Sequence, residues 1–201
     1  GLGAAQHVET RDVESYVLAA RSSWERRHRV ELARARLGGR EADPGDFYRA
    51  ALDADRQRVE DFLAAGQAAD ARTPEGVPVL VGAVRGRSVE VVQVLLGSGA
   101  DPNCVCGTDG SSALCEAASL GLETILGVLL VHGADPNQVT ANGQTALMLA
   151  TSQGHGDIVR RLMSAGADPS RRDSLDMTAA DYARLFGKNE ILESLEVVNR
   201  S

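Results

Sequence analysis

The side chains best suited to chemistry in this 201-residue chain are four histidines and three cysteines. Cys104-x-Cys106 together with Cys115 suggests part of a zinc site, but a closed structural site takes four ligands and no fourth Cys or His lies nearby. A redox-sensitive thiol pair is the alternative, because Cys104 and Cys106 fall in an expected exposed loop, although exposure alone does not make a thiolate. His7 and His28 have no carboxylate at a spacing that suggests a metal or a base. His132 precedes Gly133 at an expected helix end, where a cation offsets the helix dipole. Asp101, Asp135 and Asp168 each precede a proline and recur at intervals of 34 and 33 residues, so they read as turn residues rather than as a calcium loop. Gly97-Ser-Gly99 and Gly107-Thr-Asp-Gly-Ser111 are followed by no Lys-Ser/Thr, and the first ends a helix where a phosphate cradle begins one. The expectation is a chain without enzymatic activity, metal or cofactor.

The elements that carry these residues are constrained by composition. Hydrophobic residues make up 43% of the chain and aromatic ones 3%, with 21 glycines, which implies a core of small aliphatic side chains rather than an aromatic-centred barrel or sandwich. The net charge of −7 is unevenly divided: residues 1–45 hold eight Arg against seven Asp and Glu, and the remainder holds 13 basic against 21 acidic residues. The acidic part disfavours nucleic acid, which is held by clustered Lys and Arg. Three cysteines cannot all pair, which points to a reducing compartment, the cytoplasm. The longest uncharged apolar run, Val77 to Val84, is far short of the roughly 20 residues that span a bilayer. The absence of an initiator Met before Gly1 reads as a processing scar.

Self-similarity sets the fold. Gly99-Ala-Asp-Pro-Asn103 recurs as Gly133-Ala-Asp-Pro-Asn137 and Gly166-Ala-Asp-Pro-Ser170, and a further step back reaches Gly66. Upstream of these lie the apolar phrases Val91–Leu96, Ile125–Leu130 and Ile158–Met163, with a last copy at Ile191–Leu195, spaced to form one helical face. A short alanine-rich helix precedes each, around Val79–Val84, Ala113–Ala118, Ala146–Thr151 and Ala179–Arg184. Ser112, Thr145 and Thr178 stand where a hydroxyl caps a helix start, Pro78 suits a first turn, and Gly121 and Gly154 break the chain between paired helices.

This pattern resembles the ankyrin repeat, most closely in Gly143-Gln-Thr-Ala-Leu-Met148, Ala150-Thr-Ser-Gln-Gly-His155, Ile158-Val159 and Gly166-Ala-Asp168. The resemblance covers about residues 46–195 and implies an all-α solenoid of about five helix-turn-helix units with hairpin-like loops: 46–67, 68–100, 101–134, 135–167 and 168–195, within a repeat domain of residues 46–201. The first and last units read as caps with polar outer faces. Three departures stand out: no copy keeps the full Thr-Pro-Leu-His, Arg87 occupies the usual place of a turn glycine, and Asp176 replaces another.

The resemblance implies recognition of a protein or peptide in a concave groove, by a scaffold or adaptor or, alternatively, by an inhibitor or immunity-type module that covers an enzyme. Specificity then falls to residues outside the frame. At the tips these are Val105, Thr108, Asp109, Gln138, Thr140, Asn142, Arg171, Arg172 and Leu175, with Cys106 expected to bulge as the one-residue excess of its unit. On the first helices they are Arg85, Ser119, Leu120, Ser152, Gln153, Leu185 and Phe186. Leu120, Leu175, Leu185 and Phe186 are apolar where the frame does not demand it, and are the expected anchors if they line one groove.

Residues 1–45 form a leader outside the repeat. His7 to Leu37 reads as one long helix or a broken pair, with Val13, Val17, Ala20 and Trp24 on one face, ending at Gly38-Gly39. One reading packs this helix along the first repeat through Trp24, with a solvated arginine face beyond. Another makes Trp24, Arg26 and Arg27 a docking segment for an acidic or membrane surface. A third, nucleic acid, lacks interleaved aromatics. Oligomeric state is left open.

Overall fold

A computed structural model describes residues 10–39 and 43–198; His7 and the side chain of Val13 lie outside what is described. The described residues form eleven α-helices and no extended sheet. The leader is a single helix, α1 (Thr10–Arg36), followed by five pairs: α2 (Pro44–Leu52) with α3 (Arg56–Ala64), α4 (Val79–Arg85) with α5 (Val89–Gly97), α6 (Ala113–Ser119) with α7 (Glu123–Val131), α8 (Ala146–Gln153) with α9 (Gly156–Ser164), and α10 (Ala179–Leu185) with α11 (Asn189–Val198). The first helix of each pair packs on the first helices of its neighbours, and the second helices pack likewise, giving two helical layers. Between units the chain makes short hairpins, closed by antiparallel bridges at Arg72–Pro78, Val105–Ser112 and Val139–Thr145.

The layers are held by columns of equivalent side chains. Ala50, Ala83, Ala117, Ala150 and Ala183 are all buried along the first helices, where a side chain of one carbon lets the backbones approach closely. Phe62, Leu95, Leu129, Leu162 and Leu195 form the matching column of the second helices, equally buried and one period apart. A single helix pair could not bury either column, so each unit depends on its neighbours for a continuous core.

Local chemistry explains where the helices begin and end. The hydroxyls of Ser112, Thr145 and Thr178 accept hydrogen bonds from the N–H groups of Cys115, Met148 and Asp181, as expected of N-caps. Between paired helices, Ala54, Arg87, Gly121, Gly154 and Gly187 occupy one equivalent position, and all five have positive φ. The turn therefore keeps its left-handed conformation where Arg87 and Ala54 replace glycine. Asp176 likewise holds φ 60° at a hairpin tip. At Gly121 a second demand is added, since a Cβ there would lie 2.8 Å from the His155 ring of the next unit.

Two expectations about the hairpin that precedes α6 are corrected. Cys104 and Cys106 are buried, not exposed, because the hairpin turns both side chains toward the core. Cys106 does not bulge: its N–H donates to the Ser111 carbonyl at 2.9 Å, and its own carbonyl accepts from Gly110. Equivalent turns close over three residues, Thr73 to Gly76, Thr140 to Gly143 and Asp173 to Asp176, so the extra residue is absorbed by widening this turn to Cys106–Gly110.

Trp24 also departs from the packing expectation. Its surface is 60% exposed and its ring stacks on His28 at 5.0 Å, while α1 meets α3 through buried Ala33, Leu37 and an ion pair of Arg36 with Asp61 at 3.2 Å. The reason is helical phase: Ala33 lies about half a turn around the helix from Trp24, so only one of the two can face α3.

Candidate recognition surface

The recurring Gly-Ala-Asp-Pro-Asn string builds the frame on which the tips are mounted. In each copy the Asp carboxylate accepts from the N–H two residues on, at 2.9 Å from Asn103, Asn137 and Ser170. The asparagines then bridge units: Asn103 accepts from Asp135 N–H at 2.7 Å and donates to Gly133, and Asn137 accepts from Asp168 N–H at 2.7 Å and donates to Gly166. These carboxylates are turn-forming groups, and Asp168 is held below its ordinary pKa by the Ser170 hydroxyl and N–H. Sequence reasoning missed the asparagine bridges, although the recurrence of Asn beside the Asp-Pro step was their visible trace.

Several tip residues expected to contact a partner are engaged by the fold. The Val105 carbonyl accepts from Arg72 at 2.6 Å, Gln138 donates to the Asn103 carbonyl at 2.7 Å, and the Thr140 hydroxyl accepts from Gln144 N–H at 3.2 Å. Arg172 donates to the Asp176 carbonyl at 2.6 Å and pairs with its carboxylate at 3.4 Å. Neighbouring tips are also tied together, through Ala141 N–H to the Asp109 carbonyl at 2.8 Å and Ser174 N–H to the Asn142 carbonyl at 2.9 Å. The side chains of Thr108, Asp109, Asn142, Arg171 and Leu175 remain exposed, although Asp109 also accepts from Ser111 N–H at 3.0 Å.

The first helices divide in the same way. Arg85 is tied down, because its guanidinium pairs with Glu116 of α6 and reaches the Tyr48 hydroxyl of α2 at 3.4 Å, spanning three units. Burial works against the Arg85 charge, but the Glu116 and Tyr48 contacts outweigh it and hold the group still more firmly protonated. The Ser119 carbonyl meets His155 Nε2 at 3.3 Å, Leu120 is half-buried at the end of α6, and the Ser152 hydroxyl donates to the Leu149 carbonyl. Gln153 is exposed, as are Leu185 (64%) and Phe186 (51%), whose ring stacks on Tyr182 at 6.2 Å. Leu175, at 72% exposure, sits before α10, whereas Leu185 and Phe186 sit at its far end, so these apolar residues are separated by the length of that helix.

The last unit contains a buried polar network that sequence reasoning missed. Tyr182 donates to Asp173 at 2.6 Å and accepts from Gln144 of the preceding unit at 2.8 Å, and Asp173 also accepts from the N–H groups of Leu175 and Met177. Burial pushes the Asp173 pKa upward, but the Tyr182 hydroxyl and the backbone donors outweigh it and hold the carboxyl below its ordinary range. The network fixes the backbone on either side of Leu175 and leaves that side chain standing in solvent.

The cysteines offer no activated nucleophile. Burial pushes the Cys104 thiol up to about 12 and raises Cys106 and Cys115 as well. Among the described residues no group of three or more His, Cys, Asp or Glu side chains is placed to hold a metal ion. His132 caps the end of α7, its Nδ1 lying 2.9 Å from the Val128 carbonyl. No described helix is long and apolar enough to cross a membrane.

On the leader, Trp24, His28 and Leu32 share the lining of an open cavity of about 640 Å³ with Gln57, Glu60 and Asp61 of α3. Arg26 and Arg27 are exposed, but Arg26 lies on the opposite side of the helix from Trp24, so the three expected docking residues do not share one face.

Paired helices stacked in two layers, with equivalent columns of core residues and hairpins tied tip to tip, define a helical repeat solenoid, a class whose units are read by their surfaces rather than by an enclosed pocket. The chain belongs to the ankyrin repeat family: ankyrin repeats in three copies match residues 47–140, 80–173 and 114–196. It is 34% identical over 141 residues to a protein of Treponema pallidum (strain Nichols) described as ankyrin repeat-containing, a match covering 70% of this chain. The matched stretch is 47% of that relative, so the chain spans about half of its length. Ankyrin repeats are in general protein–protein interaction modules.

Proposed function

We propose that this chain is a non-catalytic scaffold or adaptor module that holds a protein or peptide along its hairpin tips and first helices, with most of the contact on units three to five. The observation that carries this reading is the contrast between engaged and free side chains. Arg85, Gln138, Thr140 and Arg172 are committed to the fold, whereas Leu175, Leu185 and Phe186 expose large apolar surface in the last unit. Exposed Gln153, Asn142, Thr108, Asp109 and Arg171 supply polar contacts around them. Apolar side chains that the core does not use are the kind that dominate affinity once a partner excludes water from them. Three free cysteines support a reducing compartment, the cytoplasm, as the setting.

The test is capture from source lysate with the intact chain beside the Leu175→Ser/Leu185→Ser variant. The variant should lose the specific partner while its thermal unfolding stays unchanged, because neither side chain is part of the core. Equal capture by both chains would remove this surface from the site.

A further inference from the structure

The leader helix carries a second surface that the repeat stack does not use. Only one face of α1 meets α3, the face that holds Ala33, and Leu37 just past the helix end is half-buried against the core. Away from Ala33, the residues Val17, Arg21, Trp24, His28, Glu31 and Ala35 follow one another at helical spacing, and every one of them is exposed, although Trp24 and His28 also border the open cavity shared with α3. The helix is 27 residues and about 40 Å long, and apart from buried Ala33 and half-buried Ser23 and Val30 its described side chains are exposed.

The order of residues in this stripe indicates what covers it. The stripe is complementary to itself when reversed about Arg26: Val17 is matched by Ala35, Arg21 by Glu31, and Trp24 by His28. Each match joins an apolar residue to a small one, a cation to an anion, or an aromatic ring to an imidazole. Trp24 and His28 already stack within one helix at 5.0 Å with an interplanar angle of 9°, so the two rings form one exposed pair. Glu31 has no ion-pair partner among the described residues, and Arg21 holds only the exposed Glu25 of its own helix, at 3.1 Å. In a parallel pair of such helices, Arg21 would meet Arg21 and Glu31 would meet Glu31, which is repulsive. In an antiparallel pair, each arginine meets the glutamate of the other chain. A lipid surface fits the stripe less well, because the acidic Glu31 lies within it.

We propose that α1 is a self-association element: two copies of this chain pair through antiparallel α1 helices, with Trp24 of each copy against His28 of the other and two reciprocal Arg21–Glu31 ion pairs. The contact is isologous, so it closes at a dimer and leaves both repeat stacks outside it. Two recognition surfaces are then carried by one assembly, which raises the effective affinity for a partner that presents its binding segment more than once.

The test uses the whole chain in sedimentation equilibrium over a concentration series reaching about 100 µM, the range of a weak but specific association. The mass should rise from 21.2 kDa toward twice that value, and the emission of Trp24, the only tryptophan, should shift to shorter wavelength over the same range. Arg21→Glu should weaken association about tenfold or more, and Arg21→Glu/Glu31→Arg should restore it. Register is read separately: under mild oxidation a mixture of Val17→Cys and Ala35→Cys chains should cross-link to a dimer, whereas neither variant should do so alone. This second measurement stands even if Arg21→Glu unwinds the helix. A chain that stays monomeric with unshifted Trp24 emission overturns the proposal, as does a double charge swap that fails to restore association in a helix of unchanged ellipticity. Cross-linking by Val17→Cys alone overturns the antiparallel register.

Discussion

Arg87 and Gly121 occupy the same turn in successive units, and the structure predicts that exchanging their side-chain character has opposite effects. At Arg87, φ is 57° with an exposed side chain, a conformation that costs an L-residue about 1–2 kcal/mol. Arg87→Gly removes that cost and adds about 0.5–1 kcal/mol of chain entropy to lose on folding, so the net gain is about 0.5–1 kcal/mol. At Gly121, φ is 73° and a Cβ would approach His155 to 2.8 Å. Gly121→Ala therefore reverses the balance of backbone terms and displaces the His155 ring from the Ser119 carbonyl, a bond worth about 1 kcal/mol, for a loss of about 1.5–2 kcal/mol. Urea unfolding followed by far-UV circular dichroism reads both changes. With a slope near 2 kcal/mol/M, the midpoint should rise by about 0.3–0.5 M for Arg87→Gly and fall by about 1 M for Gly121→Ala. If Arg87→Gly lowers the midpoint, or if both variants move it the same way, the turn is not the strained element described here.

Further outcomes are open to measurement. Leu162→Ala removes three buried carbons from the leucine column, and at about 0.8 kcal/mol each, plus the cavity left behind, the loss should reach about 2–5 kcal/mol; an unmoved midpoint would contradict the register of the units. Val131→Ala in the adjacent helix, where the side chain is exposed, should change stability by less than about 0.5 kcal/mol. Asp173 has its folded pKa depressed, so it contributes stability above the pKa of the unfolded carboxyl, and that contribution is lost as pH falls through the folded value; Asp173→Asn should flatten the acid limb of a stability–pH profile, and an unchanged limb would refute the role of the network. Ellman's reagent should label the native chain slowly at pH 8 and label all three cysteines rapidly in urea, since burial raises the pKa of each thiol; rapid native labelling would place Cys104 or Cys106 outside the core.

The repeat frame was readable because each unit restates it. The spacing of Gly99, Gly133 and Gly166 and the hydroxyls at Ser112, Thr145 and Thr178 encode local geometry, and local geometry survives translation into structure without help from distant parts of the chain. What the sequence concealed depends on contacts between units. The burial of Cys104 and Cys106 follows from the hairpin turning both side chains toward the core, whereas the sequence suggests an exposed loop. Arg85 reads as free for a partner from the sequence alone, because its ion-pair partner Glu116 lies 31 residues later in the next unit. Of the two roles the sequence leaves open for Trp24, packing on the first repeat fails on helical phase, since Ala33, far smaller, is the residue that faces α3. Of the four apolar residues outside the frame, Leu175, Leu185 and Phe186 are exposed and Leu120 is half-buried, and the length of α10 separates Leu175 from Leu185 and Phe186, so they do not line a single pocket.

The most direct measurement of the recognition account is hydrogen exchange on the chain bound to its captured partner, compared with the free chain. The account predicts new protection at the tips spanning 105–109, 138–142 and 171–175 and at the ends of α8 and α10. Protection confined to the second helices α5, α7 and α9, with the tips unchanged, would contradict it.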